Sequence, residues 1–196
     1  MAIQLLGGKA RGFSCEIPKG DEVRPLQVLL KRRVFDSYQN FEGVHFVDLC
    51  AGTGAVGLEV LSRGGDKINF VEKSHKVFTV LNKNIERFCS SYQDLGIVEL
   101  SNQSCTTWIK KFKDQYEKST KEQKENTVLF FAPPYPMHEL YQKFIPMIFC
   151  SDWFKGVLWV ESDDHKGPTQ SELEKLGVRE DKLIRQGSSF IMMTSF

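Results

Sequence analysis

The residues best suited to chemistry lie in one run, Asp48-Leu-Cys-Ala-Gly52-Thr-Gly54-Ala-Val-Gly57. A short apolar stretch, Val44–Leu49, leads into the glycines, and a helical pattern follows at once. Glycine at 52 and 54 permits a tight turn and lets a ligand approach the backbone with no Cβ in the way. Eighteen residues after Gly54, Glu72 ends the next apolar run. A carboxylate at the tip of that second strand can accept both hydroxyls of a ribose. A bare G-x-G-x-x-G pattern is weak evidence. The strand before it, the helix after it and the distant acid together point to a ligand containing adenosine.

Asp48 separates two such ligands. A nicotinamide dinucleotide sets its pyrophosphate against the helix N-terminus, where a carboxylate just ahead of the loop repels it. A ligand carrying an ammonium or sulfonium centre, such as S-adenosylmethionine, is favoured by the same charge. Methyl transfer is therefore preferred to hydride transfer, with a simple cap for loop amides as the plain structural role of Asp48. A second constellation is Phe130-Phe131-Ala132-Pro133-Pro134-Tyr135. Two prolines fix the backbone, and a tyrosine ring beside the crevice can stack on a flat base. Taken alone, the segment is equally a rigid turn.

The elements that position these residues follow from composition and pattern. With 196 residues, 41% hydrophobic and 26% charged, one α/β domain is expected. No apolar run approaches the roughly 18–20 residues of a membrane span. The start, MAIQLLGGKARGF, lacks a basic segment followed by a long apolar core, so a cytoplasmic protein is expected. Five widely spaced cysteines with no CxxC pair, and four scattered histidines, suggest reduced thiols and no metal site. The net charge of +1 conceals a basic start: residues 1–33 hold seven Lys or Arg against three acids. Such an arm suits a polyanion, or is merely a solvated face.

Strands and helices then alternate. Ile3–Leu6 and Phe13–Ile17 read as a hairpin around GGKARG, and Arg24-Pro25 opens a helix whose apolar stripe is Leu26, Leu30, Val34 and Tyr38. That stripe leaves Lys31 and Arg32 on other faces. Strands are expected at Lys67–Val71, Ile97–Leu100, Val128–Phe131 and Gly156–Val160, and helices at Ala55–Ser62, Ser74–Phe88, Thr106–Lys113 and His138–Phe149. The polar stretch ending at Asn126 reads as an exposed insertion, and Ser162–Gln170 as a loop. Lys182–Arg185 and Ser189–Phe196 form a terminal hairpin. The fold class is a doubly wound, mostly parallel seven-stranded α/β sheet with an antiparallel C-terminal hairpin. Residues 1–40 form a basic hairpin-and-helix extension, and residues 41–196 the ligand-binding domain.

The chain resembles the RsmD-type ribosomal RNA guanine-N2 methyltransferases, a branch of the class I S-adenosylmethionine-dependent enzymes. The likeness runs almost end to end: GGKARG, Arg24-Pro25, DLCAGTGAVGLEVLSRG, VEK at 71–73, PPY at 133–135 and VES at 160–162. The long central motif is specific and the rest support it. The resemblance implies a cofactor site of Asp48, Ala51, Gly52 and Gly54, with Glu72 on the ribose, Lys73 beside it as a further cofactor-binding residue, and Gln103 or Ser104 near adenine. It also implies that Pro133, Pro134 and Tyr135 position the guanine amine. Lys9, Arg11, Arg24 and Lys31 are the expected contacts to ribosomal RNA, naked or within a partly assembled small subunit, made by a monomer.

Three departures carry weight. The family tetrad opens with Asp or Asn, whose oxygen accepts the amine hydrogens, and here Ala132 has no acceptor. The Pro133 carbonyl is the remaining candidate. Val28 and Leu29 stand where the family has charged residues in the N-terminal helix, and Gln103-Ser104 where it has an Asp. An impaired relative that keeps the fold and binds RNA or protein is therefore the alternative to an active enzyme.

Overall fold

A computed structural model describes residues 2–18, 28–150 and 152–196. The expected helix start at Arg24-Pro25, with Leu26, lies outside the described residues. A two-stranded hairpin, β1 (Ala2–Gln4) and β2 (Ser14–Glu16), precedes α1 (Val28–Ser37). The main sheet then begins: β3 (His45–Asp48), α2 (Ala55–Ser62), β4 (Lys67–Val71), α3 (His75–Ser91) and β5 (Ile97–Ser101). Its second half comprises α4 (Cys105–Tyr116), α5 (Lys121–Glu125), β6 (Thr127–Phe131), α6 (His138–Phe149) and β7 (Val157–Asp163). The chain ends with α7 (Gln170–Lys175), β8 (Lys182–Gln186) and β9 (Ser189–Ser195).

The seven strands run in the order β5-β4-β3-β6-β7-β9-β8. All pairs from β5 to β7 are parallel, and β9 is antiparallel to both β7 and β8. The central strands β3, β4, β6 and β7 are covered on both faces and read as mainly apolar runs, whereas the edge strands β5 and β8 are partly exposed. Along β6, Val128 and Phe130 join one core with Phe46, Phe70 and Trp159, while Leu129 and Phe131 join the other with Tyr141 and Phe144. The order in which strands are added reverses between β3 and β6, which makes their C-terminal ends the place where an open α/β sheet binds ligands.

Two glycines decide the β3–α2 turn. Gly54 takes φ 82° immediately before α2, a left-handed conformation that side chains resist. A Cβ on Gly57 would lie 2.3 Å from the Phe70 ring, so its absence lets α2 press onto the sheet. Ser74 and Ser104 cap α3 and α4 through their side chains.

The hairpin is fastened to α2 through one buried acid. Glu59, 0% exposed, accepts the Leu6 and Gly7 amides at 2.7 Å each and pairs with Arg63 and Lys31 at 3.0 Å. Lys31 is thereby corrected from an RNA contact to a structural cation, 2% exposed. The buried face of α1 is Leu30, Lys31, Val34 and Phe35, so the expected stripe of Leu30 and Val34 is widened by one residue to include Lys31 and Phe35. The long lysine stem packs with the apolar residues while its tip reaches Glu59. Asn84, fully buried on α3, joins the same unit: its amide donates to Glu16 O and Thr53 O, and its oxygen accepts from Glu16 N.

Residues 113–126 are largely exposed, as expected, and are helical over much of their length. α4 continues to Tyr116, whose buried hydroxyl donates to Lys124 O at 2.9 Å and accepts from Lys155 N at 3.0 Å. Capping boxes at Thr120/Gln123 and Thr169/Glu172 start the polar helices α5 and α7.

Candidate active site

A cavity of about 560 Å³ opens at the C-terminal ends of β3, β4, β6 and β7. One wall is the glycine loop. Ala51 N donates to Val71 O and Gly54 N to Ala51 O, so these two residues shape the turn, while Gly52 lines the space. Glu72 leaves β4 into the cavity, with Lys73 on the exposed rim. The Glu72 carboxylate accepts Gly52 N at 3.0 Å on one oxygen and Ser74 N at 2.7 Å on the other. Burial raises its pKa, and the amides of Ser74, Gly52 and Lys73 oppose the rise.

Asp48 sits behind this wall, 1% exposed, with Gly57 N donating to its Oδ2 at 3.3 Å. Burial pushes its carboxyl from the usual 3.8 up to about 7; Glu72 and Glu161 add to the rise, and the Gly57 amide resists it. The site is therefore short of positive charge at its centre. Its lysines, Lys73 and Lys143, line the cavity from flanking positions on the loop after β4 and on α6.

The opposite wall is Ala132-Pro133-Pro134-Tyr135. Tyr135 is 4% exposed and its hydroxyl donates to Glu161 Oε1 at 2.5 Å, so its ring is an anchored wall and not an open platform. The Pro133 carbonyl has a neighbour of its own. The buried Tyr141 hydroxyl lies 3.5 Å from it while donating to Glu161 O at 2.9 Å. Pro134 O accepts Met137 N in the turn that follows.

Glu161, 6% exposed and lining the cavity, lies in the VES segment that supports the resemblance, but sequence reading assigns it no role. Its other local signal is an acid after the apolar run of β7. Ser104 lines the cavity and caps α4, accepting from Thr107 N. Gln103 does not reach this space: it lines a separate groove with Glu99 and Lys111, at the β5 edge. Lys9 and Arg11 are exposed on the hairpin, and Lys9 Nζ donates to Asp94 O at 3.1 Å. Arg24 lies outside the described residues.

A sheet of this order, closed by one antiparallel hairpin and carrying an acid-lined cavity at its switch point, is a Rossmann-like methyltransferase fold. The Escherichia coli protein yhhF superposes with a TM-score of 0.70 at 18% identity, covering 98% of this chain and 97% of that one. An RNA methyltransferase from Salinibacter ruber, solved with S-adenosyl-L-homocysteine, gives 0.56 at 13% identity over 88% and 92% of the two chains. The chain belongs to the RsmD-type family, whose model, described as "Conserved hypothetical protein 95", matches residues 3–192. The ribosomal RNA small subunit methyltransferase D of Haemophilus influenzae is 26% identical over 170 residues, 84% of this chain and 80% of the relative. Its Buchnera aphidicola namesake is 24% identical over 165 residues, 82% and 78% of the two chains.

Proposed function

We propose that the protein is an S-adenosylmethionine-dependent RNA methyltransferase that methylates the exocyclic N2 amine of a guanine in small-subunit ribosomal RNA. The observation that carries this reading is the cavity itself: two carboxylates line it and a third, Asp48, lies behind, at the switch point of a methyltransferase sheet. Those acids suit a cationic sulfonium and disfavour a pyrophosphate. S-adenosylmethionine supplies, when bound, a methyl group on a positively charged sulfur. Glu72, already oriented by two amides, would accept the ribose hydroxyls, and Gly52 gives backbone access. Ser104 and Lys73 flank the same space. Ala132, Pro133, Pro134 and Tyr135 form the wall against which the base would lie. The chain's main contribution is to hold amine and methyl group in line, since fixed proximity removes much of the barrier to displacement. On this reading residues 1–40 are an RNA-holding extension, with Lys9 and Arg11 as contacts, and the monomer works in the cytoplasm.

Ala132 favours a second reading, an impaired methyltransferase that binds RNA or protein. A guanine amine is a poor nucleophile because its lone pair is delocalised into the ring. Losing one preorganised acceptor costs on the order of a hundredfold or more in rate. Transfer from labelled S-adenosylmethionine to ribosomal RNA and partly assembled small subunits, taken from cells lacking this protein, decides between them. Incorporation at a single guanine amine is expected. Cofactor binding without incorporation would establish the impaired relative.

A further inference from the structure

The wall that lacks an acceptor at Ala132 has an acid one strand away. β6 and β7 pair in parallel through Phe131 and Val160, so Ala132, just past the end of β6, and Glu161, still within β7, are the next residues in register, and both line the cavity. The other ionisable groups of the lining are committed or of the wrong kind. Glu72 holds the Gly52–Ser74 turn, Lys73 and Lys143 are cations, Cys50 and Cys105 are thiols, and Tyr135 already gives its proton's hydrogen bond to Glu161. The Pro133 carbonyl has the Tyr141 hydroxyl 3.5 Å away. A carboxylate accepts several hydrogen bonds at once, so holding Tyr135 and receiving amine hydrogens are compatible.

We propose that Glu161 is a catalytic residue, accepting the hydrogens of the target amine in place of the side chain that Ala132 lacks and then taking the proton released. The inference rests on the methyltransferase reading above. In the step, the nitrogen lone pair forms the N–CH3 bond while the S–CH3 bond breaks and its electrons return to sulfur. Positive charge builds on nitrogen, and the carboxylate stabilises it more strongly than a neutral carbonyl does. The N–H electrons then return to nitrogen as the proton passes to Glu161 and on to water. Tyr135 is the positioning residue, its hydroxyl fixing one carboxylate oxygen.

The test is single-turnover methyl transfer to the same ribosomal RNA and partly assembled subunits, with S-adenosylmethionine affinity measured by calorimetry. Glu161→Gln is expected to slow transfer by about a hundredfold while affinity changes by less than about tenfold. Adding Ala132→Asp to that variant restores an acceptor and should recover at least about tenfold of the loss. Ala132→Asp alone should not raise the rate by more than about tenfold, because the wild-type protein already has its acceptor. That single variant keeps the test decisive should Glu161→Gln fail to fold. Normal transfer by Glu161→Gln, a defect that Ala132→Asp does not rescue, or a hundredfold gain from Ala132→Asp alone each overturns the assignment. In those cases an active wild-type protein leaves the methyltransferase reading standing. A wild-type protein that binds S-adenosylmethionine but methylates none of the RNAs overturns both.

Discussion

Glu59 and Asp48 are both buried acids of the glycine-loop unit, 0% and 1% exposed, and they are treated in opposite ways. Glu59 receives two backbone amides and two basic side chains within 3.0 Å. Asp48 has one amide at 3.3 Å among the described residues, and the charges acting on it, Glu72 and Glu161, are of its own sign. Burying a charge is costly unless partners replace the lost water. A fully partnered acid is thus architecture, and this one ties the N-terminal hairpin to α2. An under-partnered acid beside a cavity is a candidate functional group, and on the proposed reading a cation is its missing partner.

The largest effect should come from removing the partnered acid. Glu59→Ala leaves Lys31, Arg63 and two amides without their carboxylate, and such a break costs about 3–5 kcal/mol. For a chain of this size that lowers the melting temperature by about 10 °C, with Glu59→Gln in between, as thermal denaturation will measure. A shift under about 2 °C would show that the network is incidental and dissolve the contrast with Asp48.

Asp48→Asn should do the reverse. Its folded pKa, about 7, lies above the ordinary 3.8, so between those values the native state holds a proton that the unfolded chain has released. Stability conferred by that proton is present at low pH and is lost as pH rises toward 7. The Asn variant avoids the loss. It should melt higher than wild type at pH 8, and the gap should close toward pH 4. If the cavity takes a sulfonium, the same substitution removes a negative charge behind its wall, so S-adenosylmethionine affinity at pH 8 should fall about tenfold, near 1.4 kcal/mol. Wild-type affinity should itself weaken below pH 7 as Asp48 is protonated. Calorimetry across pH checks both, and a flat profile with unchanged affinity would return Asp48 to a structural cap.

What could be read from the chain divides along similar lines. Ala55–Ser62, Lys67–Val71 and His138–Phe149 have the expected bounds because apolar periodicity and glycine or proline punctuation are local signals. The glycine-loop wall of the cavity was legible for the same reason: Asp48 to Gly57 is one contiguous backbone device with an acid at the next strand tip. The opposite wall depends on a pairing between Tyr135 and Glu161, 26 residues apart, which needs the β6–β7 register to be known. Lys31 was misplaced because its partner Glu59 lies on another helix, and a lysine in a buried stripe has no signature of its own. Gln103, beside Ser104 in sequence, points to another groove because the cap of α4 intervenes. The helices α5 and α7 were missed because capping, not periodicity, starts them.

The smallest expected effect separates an exposed charge on the hairpin from the buried charge beneath it. Arg11 is exposed, whereas Lys31 is spent on Glu59. If the hairpin touches phosphates, Arg11→Ala should weaken ribosomal RNA binding modestly and lower the slope of log affinity against log salt by about 1. Lys31→Met keeps the packed stem and removes a charge that solvent ions hardly see. It should leave that slope unchanged while lowering the melting temperature, since Glu59 then relies on Arg63 and the two amides. Filter binding at several salt concentrations, with melting curves for both variants, makes the distinction. A slope that changes with Lys31 and not with Arg11 would mean that α1 opens on RNA, exposing the lysine that the free protein buries.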